Sequence, residues 1–563
     1  MSPAKKFPGS YDIILAQRAC YAGFLPIRAH SFVTFLLLVC CAVGRAEEPF
    51  LLRVMKEELN RSFSILKQKA DPPPYFIAYS ITGQQTWSLA ATLGAITNDA
   101  HNRSRLLDVS VRVGDYKLDN YHRLRGQFGF GGQTSSALTV SLDDDADSLK
   151  ASLWAHTDRR YRQAAERMIR IKTNRTVKVE EEDASDDFSR EEAASWAGSR
   201  TALQVSDPGW TVRLKKLSAA FRSHPQVLTS KVILHMESRN LYLVNTEGTS
   251  IQQGRNYLRL MLTARARAED GMDLEGFRSW EAADPSGFPP DEQILTVIET
   301  VARELEAMRH APVAEPFVGP AILSGRASAV FFHEILGHRI EGHRQKDEAE
   351  GQTFAKKLGE TILPPFLSVV FNPVLKQYDG IELNGWYDYD DEGVKARPVT
   401  VVDQGILKTF LMTRSPVTAV AHSNGHARRQ PGLEVVARQS NLIVDSTRRT
   451  SDAELRRMLV AEIGRQNKPY GLYFRDIQGG FTTTSRAGLQ AFKVIPVVVY
   501  RVYADGRPDE LIRGVDIVGT PLAAFGKILA TSDRSEVFNG YCGAESGSVP
   551  VSAISPAILV SEM

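Results

Sequence analysis

The chain has 563 residues, 43% apolar and 24% charged, with 68 basic and 66 acidic side chains for a formal net charge of +2. That length suits roughly two to four domains, and the composition is that of a globular protein with ample core-forming material. A charge so near zero excludes a chain built as a whole for nucleic acid, and the basic run from Arg159 to Arg175 sits on a helical pattern that reads as a solvated face.

In chain order, Ser31 to Ala46 reads as a secretory signal. Phe32 to Val43 is an apolar run of about 12 residues after Arg28 and His30, too short to cross a bilayer comfortably. It ends at Gly44-Arg45-Ala46, which offers small residues at the −3 and −1 positions for cleavage after Ala46. Residues 1–25 are long for the basic region of a leader and read as an upstream extension. The expectation is an exported protein, periplasmic or secreted, with no stable membrane span after signal removal. A cytoplasmic protein with a buried N-terminal helix is the alternative. Of the four cysteines, Cys20, Cys40, Cys41 and Cys542, cleavage would leave only Cys542 and hence no internal disulfide. A lone thiol in an exported protein is explained by a metal site, which argues for Cys542 as a ligand; a buried apolar cysteine is the alternative.

Leu51 to Ala70 has helical spacing and stops at Asp71-Pro72-Pro73-Pro74, where proline forbids continuation. Strands follow at Tyr75–Ile81 and Leu106–Val113, then a long helix over Ser148–Ile171 and an acidic loop from Glu180 to Asp187. Val232–Met236, Leu241–Asn245 and Tyr257–Ala264 read as successive antiparallel strands, separated by turn residues Asn240 and Glu247-Gly248. A helix from Asp291 to Met308 leads into the proline-rich stretch 311–320, which we take as a domain boundary. Beyond it, strands are expected at Pro398–Val402, Ile406–Thr413, Leu442–Val444, Gly471–Ile477, Phe492–Tyr503 and Leu511–Ile517, with one helix over Ser451–Gln466. Strands and helices without strict βαβ alternation predict an α+β protein. It would comprise a leader with its extension (1–46), a mixed N-terminal domain (47–310) and a strand-rich, mainly antiparallel C-terminal domain (320–563).

The chemistry concentrates in Ala329-Val330-Phe331-Phe332-His333-Glu334-Ile335-Leu336-Gly337-His338. Neutral imidazoles are zinc ligands, and an adjacent carboxylate can take a proton from metal-bound water. The two histidines are at i and i+5, however, about 140° apart on a regular helix, against about 40° for the i, i+4 pair of the common zincins. A single π-type turn, or a helix end at Gly337, would bring them together. An amphipathic helix with histidines at the core edge is the competing reading.

Cys542, in Asn539-Gly540-Tyr541-Cys542-Gly543-Ala544-Glu545, is flanked by glycines that let the backbone approach another group closely. His-Glu-x-x-x-His, the late Cys-Gly-x-Glu and Ser548-Val549-Pro550-Val551 together resemble the TldD half of the TldD/PmbA peptidases. The resemblance covers roughly residues 320–563, including Asp390-Asp391-Glu392-Gly393 and Ser423 to Arg429. It implies zinc (Zn2+) held by His333, His338 and Cys542, with Glu334 as general base on zinc-bound water, and hence a peptidase hydrolysing unfolded or short peptides. It also implies a homodimer, or a heterodimer with a family homologue. A non-catalytic peptide-binding or partner subunit with a structural zinc is the alternative function. A blue-copper reading of the His₂Cys set is disfavoured by Glu334. The family's older association with DNA gyrase draws no support from the charge, and no nucleic-acid partner is expected.

The resemblance carries no histidine at 343, and His343 reads as solvent-facing. Gly342 is expected to close the helix as its C′ residue. Asp390, Asp391 and Glu392 read as a turn with a conformational role rather than as groups supporting the metal. Arg428 and Arg429 are candidates to orient a substrate carboxylate, their alternative being a surface position, and His422 and His426 read as polar lining of a cleft. Gly479-Gly480 before Phe481 suggests an edge strand or loop; the resemblance implies a peptide substrate held extended against the sheet, and this segment is a candidate for it.

Overall fold

A computed structural model describes residues 48–123, 137–175, 183–203, 208–486, 488, 491–519 and 521–563. The proposed leader, with Cys20, Cys40 and Cys41, lies outside the described residues, as do Glu180 to Glu182. From Pro49 to Met563 the chain packs as one compact unit, and no helix among the described residues is long and apolar enough to cross a membrane.

The N-terminal half is built on one long antiparallel sheet. Helix α1 (Phe50–Lys69) buries Leu52, Met55 and Leu59 and ends just before Pro72. Strands β1 (Pro74–Thr92) and β2 (Ala95–Val113), each of 19 residues, form a hairpin. Helix α2 (Ala146–Arg175) packs on β2, and α3 (Pro208–Ala219) lies against the far ends of the hairpin and of the next strand. That strand, β3 (Thr229–Asn245), runs unbroken through Asn240, so the two expected strands are one. The Asn240 amide is occupied by Thr201, accepting from its N–H at 2.9 Å and donating to its carbonyl at 2.8 Å, which suits it to a strand instead of a turn. The other expected turn, at Glu247-Gly248, is present, and Gly248 has a φ of 101° that favours glycine. Strands β4 (Ser250–Arg267) and β5 (Asp273–Ala282) complete the order β2-β1-β3-β4-β5. Helix α4 (Asp291–His310) covers β4 and β5.

The C-terminal half is a second sheet, of twelve strands among the described residues. Its main members are β6 (Ala321–Leu323), β7 (Leu367–Phe371), β8 (Val399–Asp403), β9 (Asn441–Ser446), β10 (Gly471–Thr482), β11 (Phe492–Val502), β12 (Ile528–Ala544) and β13 (Gly547–Val560). They run β8-β7-β9-β13-β6-β10-β11, with β12 paired to β13. Only β9 with β13 and β6 with β10 are parallel among these pairs, so the class is α+β and mainly antiparallel, as expected. Two expected strands shrink. The 406–413 run is strand only at Ile406–Leu407, and the 511–517 run splits into Glu510–Ile512 and Ile517–Gly519.

Helix α5 (Gly325–Ile335) packs against β10, β12 and β13. Ser324 caps it, its hydroxyl accepting from Ala327 N at 3.2 Å, and every α5 residue except Arg326 is buried. Such an all-round apolar helix belongs inside a core. Phe331 meets Phe332, Phe492 and Phe525 edge-on at centroid distances of 5.5, 5.9 and 6.2 Å. A last helix, α6 (Asp452–Arg465), covers the opposite side of β6 and β13.

Candidate metal centre

The motif solves its spacing problem by ending the helix. α5 stops at Ile335, Leu336 bridges, and Gly337 to Ile340 form a tighter 3-10 turn. His333 and Glu334 therefore leave from the last turn of the helix, and His338 from the turn after it. The two imidazole rings sit 5.2 Å apart at an interplanar angle of 84°. A Cβ at Gly337 would fall 1.9 Å from Gln439 Oε1, so any larger residue there would have to displace that buried amide. Gly342 does not play the expected C′ role. Its φ is −59°, right-handed, and its missing side chain makes room for the Leu411 carbonyl and Met412.

Cys542 arrives from the β12–β13 hairpin, where it pairs with Val549 two rungs from the Glu545–Ser546 turn. Its Sγ lies 3.3 Å from His338 Nε2, and one ligand atom each from His333, His338 and Cys542 falls within 4.8 Å of the others. All three residues are buried. Burial alone would push the Cys542 thiol up, but His338, His333 and Arg438 outweigh it and hold it well below its ordinary value. Burial likewise opposes a charged His338, yet Cys542 and Glu341 raise it well above the usual imidazole. The three groups thus form a centre that favours a thiolate and holds a cation beside it. Two imidazoles and a thiolate at this separation fit a tetrahedral dication such as zinc with one position left over.

Glu334 shares the cleft, which has a volume of about 210 Å³ and is lined also by Gly480, Phe481, Thr482 and Tyr541. Burial raises its carboxyl above the ordinary value, and its Oε2 has no hydrogen-bond partner among the described residues. The opposite wall is β10. Arg339 ties it to the motif, donating to Thr482 Oγ1 at 2.7 Å, Thr483 O at 3.1 Å and the Glu334 carbonyl at 3.0 Å.

His343 is not solvent-facing. It is buried, and its Nε2 lies 2.5 Å from Glu545 Oε1. Glu341, His343 and Glu545 form a second close cluster, but the Arg344 guanidinium already stands among them, donating to Glu341 at 2.8 Å and to Glu545 at 2.7 Å. Glu341 also approaches His338 Nδ1 at 3.5 Å; burial would raise its carboxyl, but Arg344, His338 and Arg438 lower it to about 2. Sequence reasoning missed Arg339, Arg344 and Arg438 as parts of this centre. The i, i+3 spacing of Glu341 and Arg344 was the available signal.

The remaining candidates lie elsewhere. Asp390 to Gly393 form a buried turn, in which Asp390 accepts from Glu392 N, Val394 N and Ala427 N. Arg428 is buried and donates to the Gln439 carbonyl, while Arg429 faces Asp108 at 3.4 Å. His426 is buried and lowered by that burial to about 3, whereas His422 is exposed.

Residues 318–563 match the PmbA/TldA metallopeptidase C-terminal domain. A curated metalloprotease of Archaeoglobus fulgidus is 26% identical over 277 residues, 48% of this chain and 57% of that protein. A zinc metalloprotease TldD homolog of Saccharolobus solfataricus is 25% identical over 255 residues, 43% of this chain and 50% of its own length. The chain thus spans little more than half the length of these relatives. In fold it is similar to TldE from Thermococcus kodakarensis, with a TM-score of 0.58 at 13% identity, over 91% of this chain and 99% of that one.

Proposed function

We propose, starting from this chain's membership of the TldD/PmbA family, that it is a zinc-dependent peptidase acting on unfolded or short peptides. The observation that carries the reading is the meeting of His333, His338 and Cys542 within 4.8 Å beside a buried Glu334 with a free carboxylate oxygen. His333, His338 and Cys542 would hold the zinc, which when bound polarises a carbonyl and acidifies water at neutral pH. Glu334 takes the proton of the attacking water and passes it to the nitrogen of the leaving amine.

Beyond Phe474, β10 has among the described residues a strand partner on one side only, β11. Its Gly480 to Thr482 stretch lines the cleft, and an extended peptide adding there would be held by main-chain hydrogen bonds, consistent with broad acceptance of sequence. We further propose that the chain works as a dimer, with itself or with a family homologue, after export directed by residues 31–46.

The test is hydrolysis of an unstructured peptide mixture by the full chain, before and after chelation and after readdition of zinc. Cleavage lost on chelation and restored by zinc is expected. Stoichiometric zinc with no cleavage would replace this reading with a non-catalytic peptide-binding or partner subunit.

A further inference from the structure

The proposed zinc ligands come from three places in the chain, and one dipeptide touches two of them and reaches the third, His338, through Glu341. Arg438 and Gln439, just after a short strand at Val436–Ala437, are completely buried. Arg438 donates to the Cys542 carbonyl at 2.6 Å and to Ser546 Oγ and the Gly547 carbonyl at 2.8 and 2.9 Å, gripping the end of the β12–β13 hairpin. On its other side, its Nε faces Glu341 Oε1 at 3.5 Å, and neither atom has a hydrogen-bond partner among the described residues. The second Glu341 oxygen approaches His338 Nδ1 at 3.5 Å. Gln439 donates to the His333 carbonyl at 3.3 Å and fills the space that Gly337 leaves open.

We infer that Arg438 is a positioning residue for the metal, holding the Cys542 strand against the His338 turn through Glu341. The inference rests on the zinc reading above. A fully buried guanidinium is expensive unless its donors are matched, and an apolar side chain would fill the volume. What the guanidinium adds is a planar fork that reaches the hairpin on one side and the carboxylate under His338 on the other. Lysine, a single point donor, cannot span both. Groups that orient metal ligands in this way typically contribute roughly 10–100-fold to metal affinity.

The test uses Co2+ as the probe, on the full chain and on Arg438→Met, Arg438→Lys and Glu341→Gln. Two quantities are read: affinity by competition with a chelator, and the thiolate-to-cobalt charge-transfer absorption. The parent should bind one cobalt with that band. Both Arg438 variants and Glu341→Gln should bind at least about tenfold more weakly, with the band reduced or shifted. A merely structural Arg438 would lower thermal stability while leaving band and affinity alone, and that result in folded variants overturns the inference. Should the Arg438 variants not fold, Glu341→Gln keeps the side-chain volume and decides by the same readout. If the parent itself binds no cobalt through Cys542, the zinc reading fails, which is a distinguishable outcome.

Discussion

Cys542 Sγ lies 3.3 Å from Nε2 of His338, a residue 204 positions earlier in the chain. A long hairpin and a broken helix create that contact, and without it the motif would offer two imidazoles and no anionic ligand. The arrangement sets specific demands on the residues around it.

Gly480 is the first. A Cβ there would fall 2.8 Å from Glu334 Cγ and 2.9 Å from the Lys493 carbonyl, and the carbonyl cannot move without disturbing the β10–β11 ladder. Gly480→Ala should therefore displace Glu334. We expect kcat/KM on a peptide substrate to fall roughly 10- to 100-fold, with the melting temperature changed by only about 2–4 °C. Unaltered kinetics would mean that the position of Glu334 is not what limits turnover.

Phe331 is fully buried on the helix that also carries His333, with three aromatic neighbours. Phe331→Ala should lower unfolding free energy by about 3–5 kcal/mol through lost transfer energy and the cavity left behind. Urea denaturation measures it, and a loss below about 1 kcal/mol would show that the site collapses to fill the space.

Glu434 gives a pH prediction away from the metal. Burial raises its carboxyl to about 7, against the opposing pull of Arg160, Arg167, Arg123 and Arg112. For a carboxyl raised in the folded state, the stability contribution is fully present below the ordinary value and is lost as pH rises through about 7. Glu434→Gln removes that dependence. The variant should gain on the parent between pH 5 and pH 8, by roughly 3 kcal/mol at most. A variant that instead loses ground as pH rises would show that the arginines keep Glu434 ionised.

The legible part of this fold was the part written locally. The proline stop after α1 and the pattern over Ser451–Gln466 placed α1 and α6 closely, because breakers and periodicity act within a few residues. Non-local contacts were not legible. Asn240 looked like a turn until Thr201 took up its amide. His343 looked solvent-facing because its partner, Glu545, is 202 residues away. The Cys542 hairpin was missed for a related reason. In sequence the glycines around Cys542 read only as freedom for the backbone to approach another group, whereas pairing across β12 and β13 makes the segment a strand. The metal set was drawn from the motif and the family resemblance; of the arginines that brace it, Arg344 left a spacing signal three residues after Glu341, while Arg438 meets Cys542 and Glu341 only through contacts distant in sequence.

The measurement that bears most directly on the account compares the full chain with Glu334→Gln at identical, verified zinc loading, on an unstructured peptide mixture. The account predicts that the parent cleaves and that the variant retains its zinc but loses activity by roughly 100-fold or more, the contribution expected of a positioned general base. A zinc-loaded variant that cleaves as well as the parent would contradict it, leaving Glu334 as a buried carboxylate beside a metal that works without it.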